Sequence, residues 1–177
     1  MEDRKEHIIQ VSWDDIMEFC RGLALTLDKE YSPDLILGIA MGGVIPAAII
    51  AMALRTDFYP IKITRRRKNL LMSSKPHLLT PLPEEISGRR VLIVDDVAVT
   101  GETILLALKE AQKKGARKVK TCAFHIQPGG FRPTYWGIES DGVVILPWNE
   151  EVIVGGTFVL HPDYEAAIRE WNSRGSV

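Results

Sequence analysis

The chain has 177 residues, 22 Lys and Arg against 23 Asp and Glu, a net charge of −1, and 46% hydrophobic residues. That length and balance suit one ordinary domain over residues 1–177 and exclude an intrinsically disordered chain, which would be poorer in apolar residues. Near-neutral charge gives no basic face for nucleic acid, and two cysteines, Cys20 and Cys122, supply neither a disulfide framework nor a four-thiolate zinc site.

The charged start, Met1 to Glu6, leads into no apolar run, so no signal peptide is expected. Ser12 can cap a helix, with Asp15 three residues on in a near capping-box arrangement. Trp13, Ile16, Met17, Cys20, Leu23, Ala24 and Leu27 then recur at helical spacing, and Ser32-Pro33 ends the run. The next stretch, Leu35 to Leu54, contains no charged residue and approaches the length of a membrane span. Gly38, Gly42-Gly43 and Pro46 interrupt it, and Leu35-Ile36-Leu37 is branched and compact like a buried strand. The expectation is a strand over 35–39, a glycine turn, and a helix to about Arg55, in a reduced, cytoplasmic protein with no membrane partner.

Phe58 to Thr64 reads as a second strand. Arg65 to Ser87 is a long connector opening on Arg65-Arg66-Arg67-Lys68; loops of that length inside a domain are usually lids or binding loops. A basic run is also what an ordinary solvated face carries. Arg90 to Val94 reads as a third strand, apolar on both faces as a central parallel strand should be. A helix follows over about Glu102 to Lys114, with Gly115 as its stop. Val119 to His125 and Val143 to Leu146 read as further strands, and Asp163 to Trp171 as a closing helix. Strands alternating with helices predict an α/β fold, a mainly parallel central sheet flanked by helices.

The most informative stretch is Val91-Leu92-Ile93-Val94-Asp95-Asp96-Val97-Ala98-Val99-Thr100-Gly101-Glu102-Thr103. A buried strand delivers two carboxylates to its C-terminal end, the edge where open parallel sheets bind ligands. Two Thr hydroxyls and a glycine then open a helix, and successive backbone N–H groups there form an anion nest. The carboxylates would repel a phosphate placed on them, so the pattern suits a ligand with hydroxyls at one place and phosphate at another. A phosphorylated sugar fits. The plainer reading, a capped helix start, explains Thr100 and Gly101 but not two charges at the mouth of an apolar strand.

This stretch resembles the signature of the type I phosphoribosyltransferases: four apolar residues, two acids, three mostly apolar residues, Thr-Gly and a further Thr. Other parts fall in family order. Ala40-Met41-Gly42-Gly43 resembles the family's pyrophosphate loop, which often holds a non-proline cis peptide; by itself Gly42-Gly43 reads equally as an ordinary turn. The 65–87 connector resembles the mobile catalytic loop. Val143-Val144-Ile145-Leu146-Pro147-Trp148-Asn149, with Tyr135-Trp136-Gly137 ahead of it, resembles the small base-binding hood of the bacterial and archaeal purine enzymes, those acting on xanthine and guanine or on hypoxanthine. The resemblance implies transfer of ribose 5-phosphate from 5-phosphoribosyl 1-diphosphate (PRPP) to a nitrogenous acceptor, in a cytoplasmic homodimer of purine salvage. It implies Asp95, Asp96, Arg67 and Lys68 as the catalytic residues. It assigns pyrophosphate to Ala40, Met41, Gly42 and Gly43, and ribose phosphate to the two acids with Ala98, Val99, Thr100, Gly101, Glu102 and Thr103. Mg²⁺ would be reached by Asp95 and Asp96 through water, and the acceptor by Val99, Gln127, Val143 and Trp148.

The acceptor half departs from the purine pattern. Val99 stands where many purine enzymes carry a proton-accepting Asp, though orotate-type members also lack it. Gln127 stands before Pro128 where those enzymes have Lys, Val143 where an aromatic ring stacks, Asn149 where an acid follows Pro-Trp, and Met41 where Lys or Arg is common. An ordinary 6-oxopurine is therefore not the expected acceptor. Two other readings compete: a PRPP-binding regulator that kept the fold and lost transfer, and a phospho-accepting receiver domain. The receiver is disfavoured because its acid pair follows the first strand.

Overall fold

The computed structural model describes residues 8–64, 66–67, 70–71 and 75–174, the backbone alone for 66–67, 70–71 and 171–174. In chain order the elements are β1 (Ile8–Gln10), α1 (Trp13–Glu30), β2 (Leu35–Ala40), α2 (Val44–Leu54), β3 (Asp57–Thr64), and the two-residue strands β4 (Arg66–Arg67), β5 (Leu70–Leu71) and β6 (His77–Leu78). A short 3₁₀ turn, Glu84–Ile86, leads to β7 (Arg90–Ala98), α3 (Glu102–Lys113), β8 (Lys118–Ile126), β9 (Tyr135–Glu139), β10 (Val143–Ile145), β11 (Glu151–Val154), β12 (Thr157–Leu160) and α4 (Pro162–Arg174). They divide into two compact units, one of residues 17–139 and one of the described residues of 1–16 with those of 140–177.

The larger unit is built on a six-stranded sheet in the order β6-β3-β2-β7-β8-β9. All its pairings are parallel except the short β6 against β3. Leu35, Ile36, Leu37, Val91, Leu92 and Ile93 are fully buried, as strands covered on both faces require. The uncharged run of 35–54 is β2, a turn and α2. Pro46 is the third residue of α2, where a missing N–H removes only a donor that would have no partner inside the helix. No helix among the described residues is long and apolar enough to cross a membrane. Cys20 and Cys122 are buried free thiols, and burial raises that of Cys20 to about 12.

In the smaller unit β1 pairs in parallel with β10, and Val11 N–H continues the ladder to Ile145 O at 3.0 Å. Ser12 and Asp15 form the expected reciprocal cap: Ser12 N–H donates to Asp15 Oδ2 at 2.8 Å and Asp15 N–H to Ser12 Oγ at 3.2 Å. β11 and β12 form a hairpin turning on Gly155 and Gly156, at φ +60° and +83°.

Two placements differ from the sequence reading. The strand at 143–145 lies in this smaller pairing, not in the central sheet. The place beside β8 belongs to β9, an edge strand with half-buried Tyr135 and Ile138 among exposed residues and no apolar run to announce it. The central strand also runs four residues further than expected, to Ala98.

Candidate active site

The register of the sheet makes the site. β2 pairs with β7 only from Leu35↔Val91 to Gly38↔Val94, and with β3 only as far as Ala40↔Lys62. Its neighbours run on, β3 to Thr64 and β7 to Ala98. The chain leaves β2 toward β3 on one side and returns to β7 on the other, so β2 and β7 mark the switch point where open α/β sheets bind ligands. A cavity of about 360 Å³ opens at this edge, lined by Ile63, Thr64, Asp95, and the run from Val97 to Ile104.

Asp95 is 8% exposed and forms part of the cavity wall. Burial, and then the charge of Asp96 beside it, pushes its carboxyl well above the usual carboxylate range. One oxygen of each acid accepts from the next backbone N–H: Asp96 N–H to Asp95 Oδ1 at 3.0 Å and Val97 N–H to Asp96 Oδ1 at 2.9 Å. Because β7 continues through both acids, they alternate across its two faces. Asp95 and Val97 line the cavity, whereas the half-buried Asp96 does not. The sequence had treated the acids as one gripping pair.

Beyond β7 the chain turns at Thr100 and Gly101. Gly101 adopts φ +70°, a left-handed conformation natural to glycine, and precedes the first residue of α3. No side chain caps α3. Ala98, Val99, Thr100, Gly101, Glu102 and Thr103 all line the cavity, as the sequence placed them together, and Ile63, Thr64, Val97 and Ile104 join them. The overhang of β3 past β2 brings in Ile63 and Thr64; no motif marks them.

Ala40, Met41, Gly42 and Gly43 join β2 to α2, and the Ala40–Met41 bond is cis. Met41 is 81% exposed. A Cβ on Gly43 would lie 2.6 Å from Val94 O, 2.7 Å from Asp95 Cα and 2.8 Å from Ile39 O. Glycine thus lets this turn press against β7 where the acids begin. Arg67 lies in the hairpin of β4 and β5, Arg67 pairing with Leu70; Lys68 is outside the described residues. Of the acceptor residues, Val99 and half-buried Gln127 belong to the larger unit, Val143 and Trp148 to the smaller. The Trp148 indole nitrogen is buried with no hydrogen-bond partner among the described residues, and its ring lies 6.0 Å from that of Trp13. Asn149 Oδ1 accepts from the Tyr164 hydroxyl at 2.7 Å, and that hydroxyl accepts from Leu146 N–H at 3.3 Å.

A phosphoribosyl transferase domain matches residues 12–155. The chain belongs to that family. An orotate phosphoribosyltransferase of Sulfolobus acidocaldarius is 36% identical over 104 residues, 58% of this chain and 48% of that protein. The transcriptional regulator GfcR of Thermoplasma acidophilum is 30% identical over 91 residues, 51% of this chain and 42% of the regulator. Among solved structures, a purine phosphoribosyltransferase from Pyrococcus horikoshii matches with TM-score 0.73 at 28% identity, over 84% of this chain and 99% of that one. The chain spans about half the length of the curated relatives it matches.

Proposed function

We propose that the chain transfers ribose 5-phosphate from PRPP to a nitrogenous, base-like acceptor, releasing pyrophosphate. The observation that carries this reading is the uncapped start of α3 on a cavity shared with a buried carboxylate. Backbone amides from Ala98 to Thr103 would take the 5′-phosphate, helped by the helix N-terminus. Glu102, in that first turn, is exposed, so its charge can face solvent. Asp95 would orient the ribose from the cavity wall, with Asp96 acting from the opposite face of β7. The 40–43 turn would hold pyrophosphate, and Arg67 and Lys68 would close over it and exclude water.

Mg²⁺ fits this donor set. Among the described residues no group of three or more His, Cys, Asp or Glu could hold a metal, and Mg²⁺ characteristically uses one or two carboxylates, waters and substrate phosphates. When bound it would neutralise charge on the leaving pyrophosphate. A cation nearby would favour the ionised form of Asp95, which burial and the charge of Asp96 oppose. Val99 and Gln127 of the larger unit would meet the acceptor. Since neither Val99 nor Gln127 supplies an acid, the acceptor must lose its proton without help from these two. One domain over residues 1–177, paired with a second copy, belongs to the same proposal.

The test is a panel of bases incubated with Mg-PRPP, followed by pyrophosphate release. Turnover should appear with a base outside the 6-oxopurines and be weak or absent with hypoxanthine, guanine and xanthine. The absence of an acid at Val99 and the regulator among the relatives favour a second reading, a PRPP-binding regulator. PRPP binding without release for any base would select it.

A further inference from the structure

The sequence treats the phosphate turn and the segment after β8 as separate parts of the site, one for PRPP and one for the acceptor. They are interlocked. Phe131 N–H donates to Val99 O at 3.1 Å, and Gly130 N–H donates to Gln127 O at 3.1 Å. A Cβ on Gly130 would overlap Val99 O, and a Cβ on Gly101 would overlap the Phe131 ring. Two glycines thus allow the segments to close on one another, and the half-buried Phe131 is anchored against the hydrophobic core.

The contact sets the direction of a peptide. In a planar trans unit the C=O and the following N–H point opposite ways. With Val99 O turned to Phe131, the Thr100 N–H points away from that segment. The bond thus keeps one carbonyl dipole from facing an anion in the turn. Gly101, held against the ring in its left-handed conformation, fixes where α3 begins. We propose that Phe131, seated by Gly130, is a positioning residue for the 5′-phosphate turn and joins it mechanically to the acceptor-side residue Gln127. This rests on the reading of that turn as the phosphate site.

Calorimetry with two probes tests it: ribose 5-phosphate, which needs the α3 turn, and Mg-pyrophosphate, which needs the 40–43 turn. Gly130→Ala drives a methyl into Val99 O, and Phe131→Ala removes the ring behind Gly101. Each should weaken ribose 5-phosphate about tenfold while leaving pyrophosphate within about twofold. Phe131→Leu, which keeps apolar bulk against Gly101, should recover part of the loss. If Phe131→Ala does not fold, the exposed Gly130 position decides. Unchanged affinity for ribose 5-phosphate in Gly130→Ala, or equal loss for both probes, overturns the positioning role. Wild-type protein that binds pyrophosphate but not ribose 5-phosphate overturns the phosphate reading itself, and the positioning role falls with it.

Discussion

The proposed phosphate side of the site and its proposed acceptor side are built from different materials. In the proposed function residues 98–103 would work through backbone geometry: a strand end, a left-handed glycine and a first turn of α3 with no side-chain cap. On the proposed acceptor side Val99 and Gln127 would act through side chains, and five family positions, Met41, Val99, Gln127, Val143 and Asn149, carry residues that depart from the purine pattern. Backbone recognition constrains the chain to a few residue types in fixed order, because only glycine and small residues permit the approach. Side-chain recognition can be rewritten one residue at a time without disturbing the fold.

The sharpest way to break this contrast is at the acids. Asp95→Asn with Asp96→Asn should lower Mg-dependent PRPP affinity by more than about 100-fold in calorimetry, since both the charge and the cation's partner are lost. Asp95→Asn alone should make the metal-free protein melt higher at alkaline pH. The folded carboxyl titrates above its unfolded value, so its contribution is fully present below the ordinary Asp range and is lost as pH rises through the folded value. The gain in melting temperature should accordingly shrink on acidification; a variant that melts lower at alkaline pH would contradict this assignment.

Next in size is Gly43→Ala. Its methyl would meet three backbone atoms that cannot step aside, and such overpacking costs about 1–3 kcal/mol. The melting temperature and pyrophosphate affinity should fall together. Val99→Asp probes the other side. Installing a proton acceptor should raise turnover with hypoxanthine or guanine about tenfold or more, within the range of general-base catalysis, while the KM for PRPP stays near wild type. The smallest effect lies far from the contrast, at Asp34, whose carboxyl is held well below its usual range by hydrogen bonds from the Arg90 side chain. Its stabilisation is present above the ordinary Asp range and is lost as pH falls through the folded value. Asp34→Asn should thus lower the melting temperature by a few degrees at neutral pH and by less in acid.

Much of the fold was legible from local pattern. The apolar runs at 35–39 and 90–94, the spaced residues of α1 and the stop at Gly115 all announce themselves, because each is set by burial or backbone freedom at adjacent positions. β9 was not legible: Tyr135 to Glu139 is an edge strand with no fully buried residue and no apolar alternation. The reach of β7 to Ala98 was also missed, because two acids read as the end of a strand until their neighbours on β8 are known, Asp95 opposite Ala123 and Val97 opposite His125. That extension separates Asp95 from Asp96.

Taken alone, the sequence determined the α/β alternation, the order of the site's parts and the cluster of small residues, acids and hydroxyls at 95–103, because these are consequences of spacing along one strand and one helix. The tertiary structure decided which acid faces the cavity, that β3 adds Ile63 and Thr64 to its wall, and that Phe131 packs against the 99–101 turn. Those depend on register between strands and on contacts between distant segments, and no spacing along a single chain encodes them.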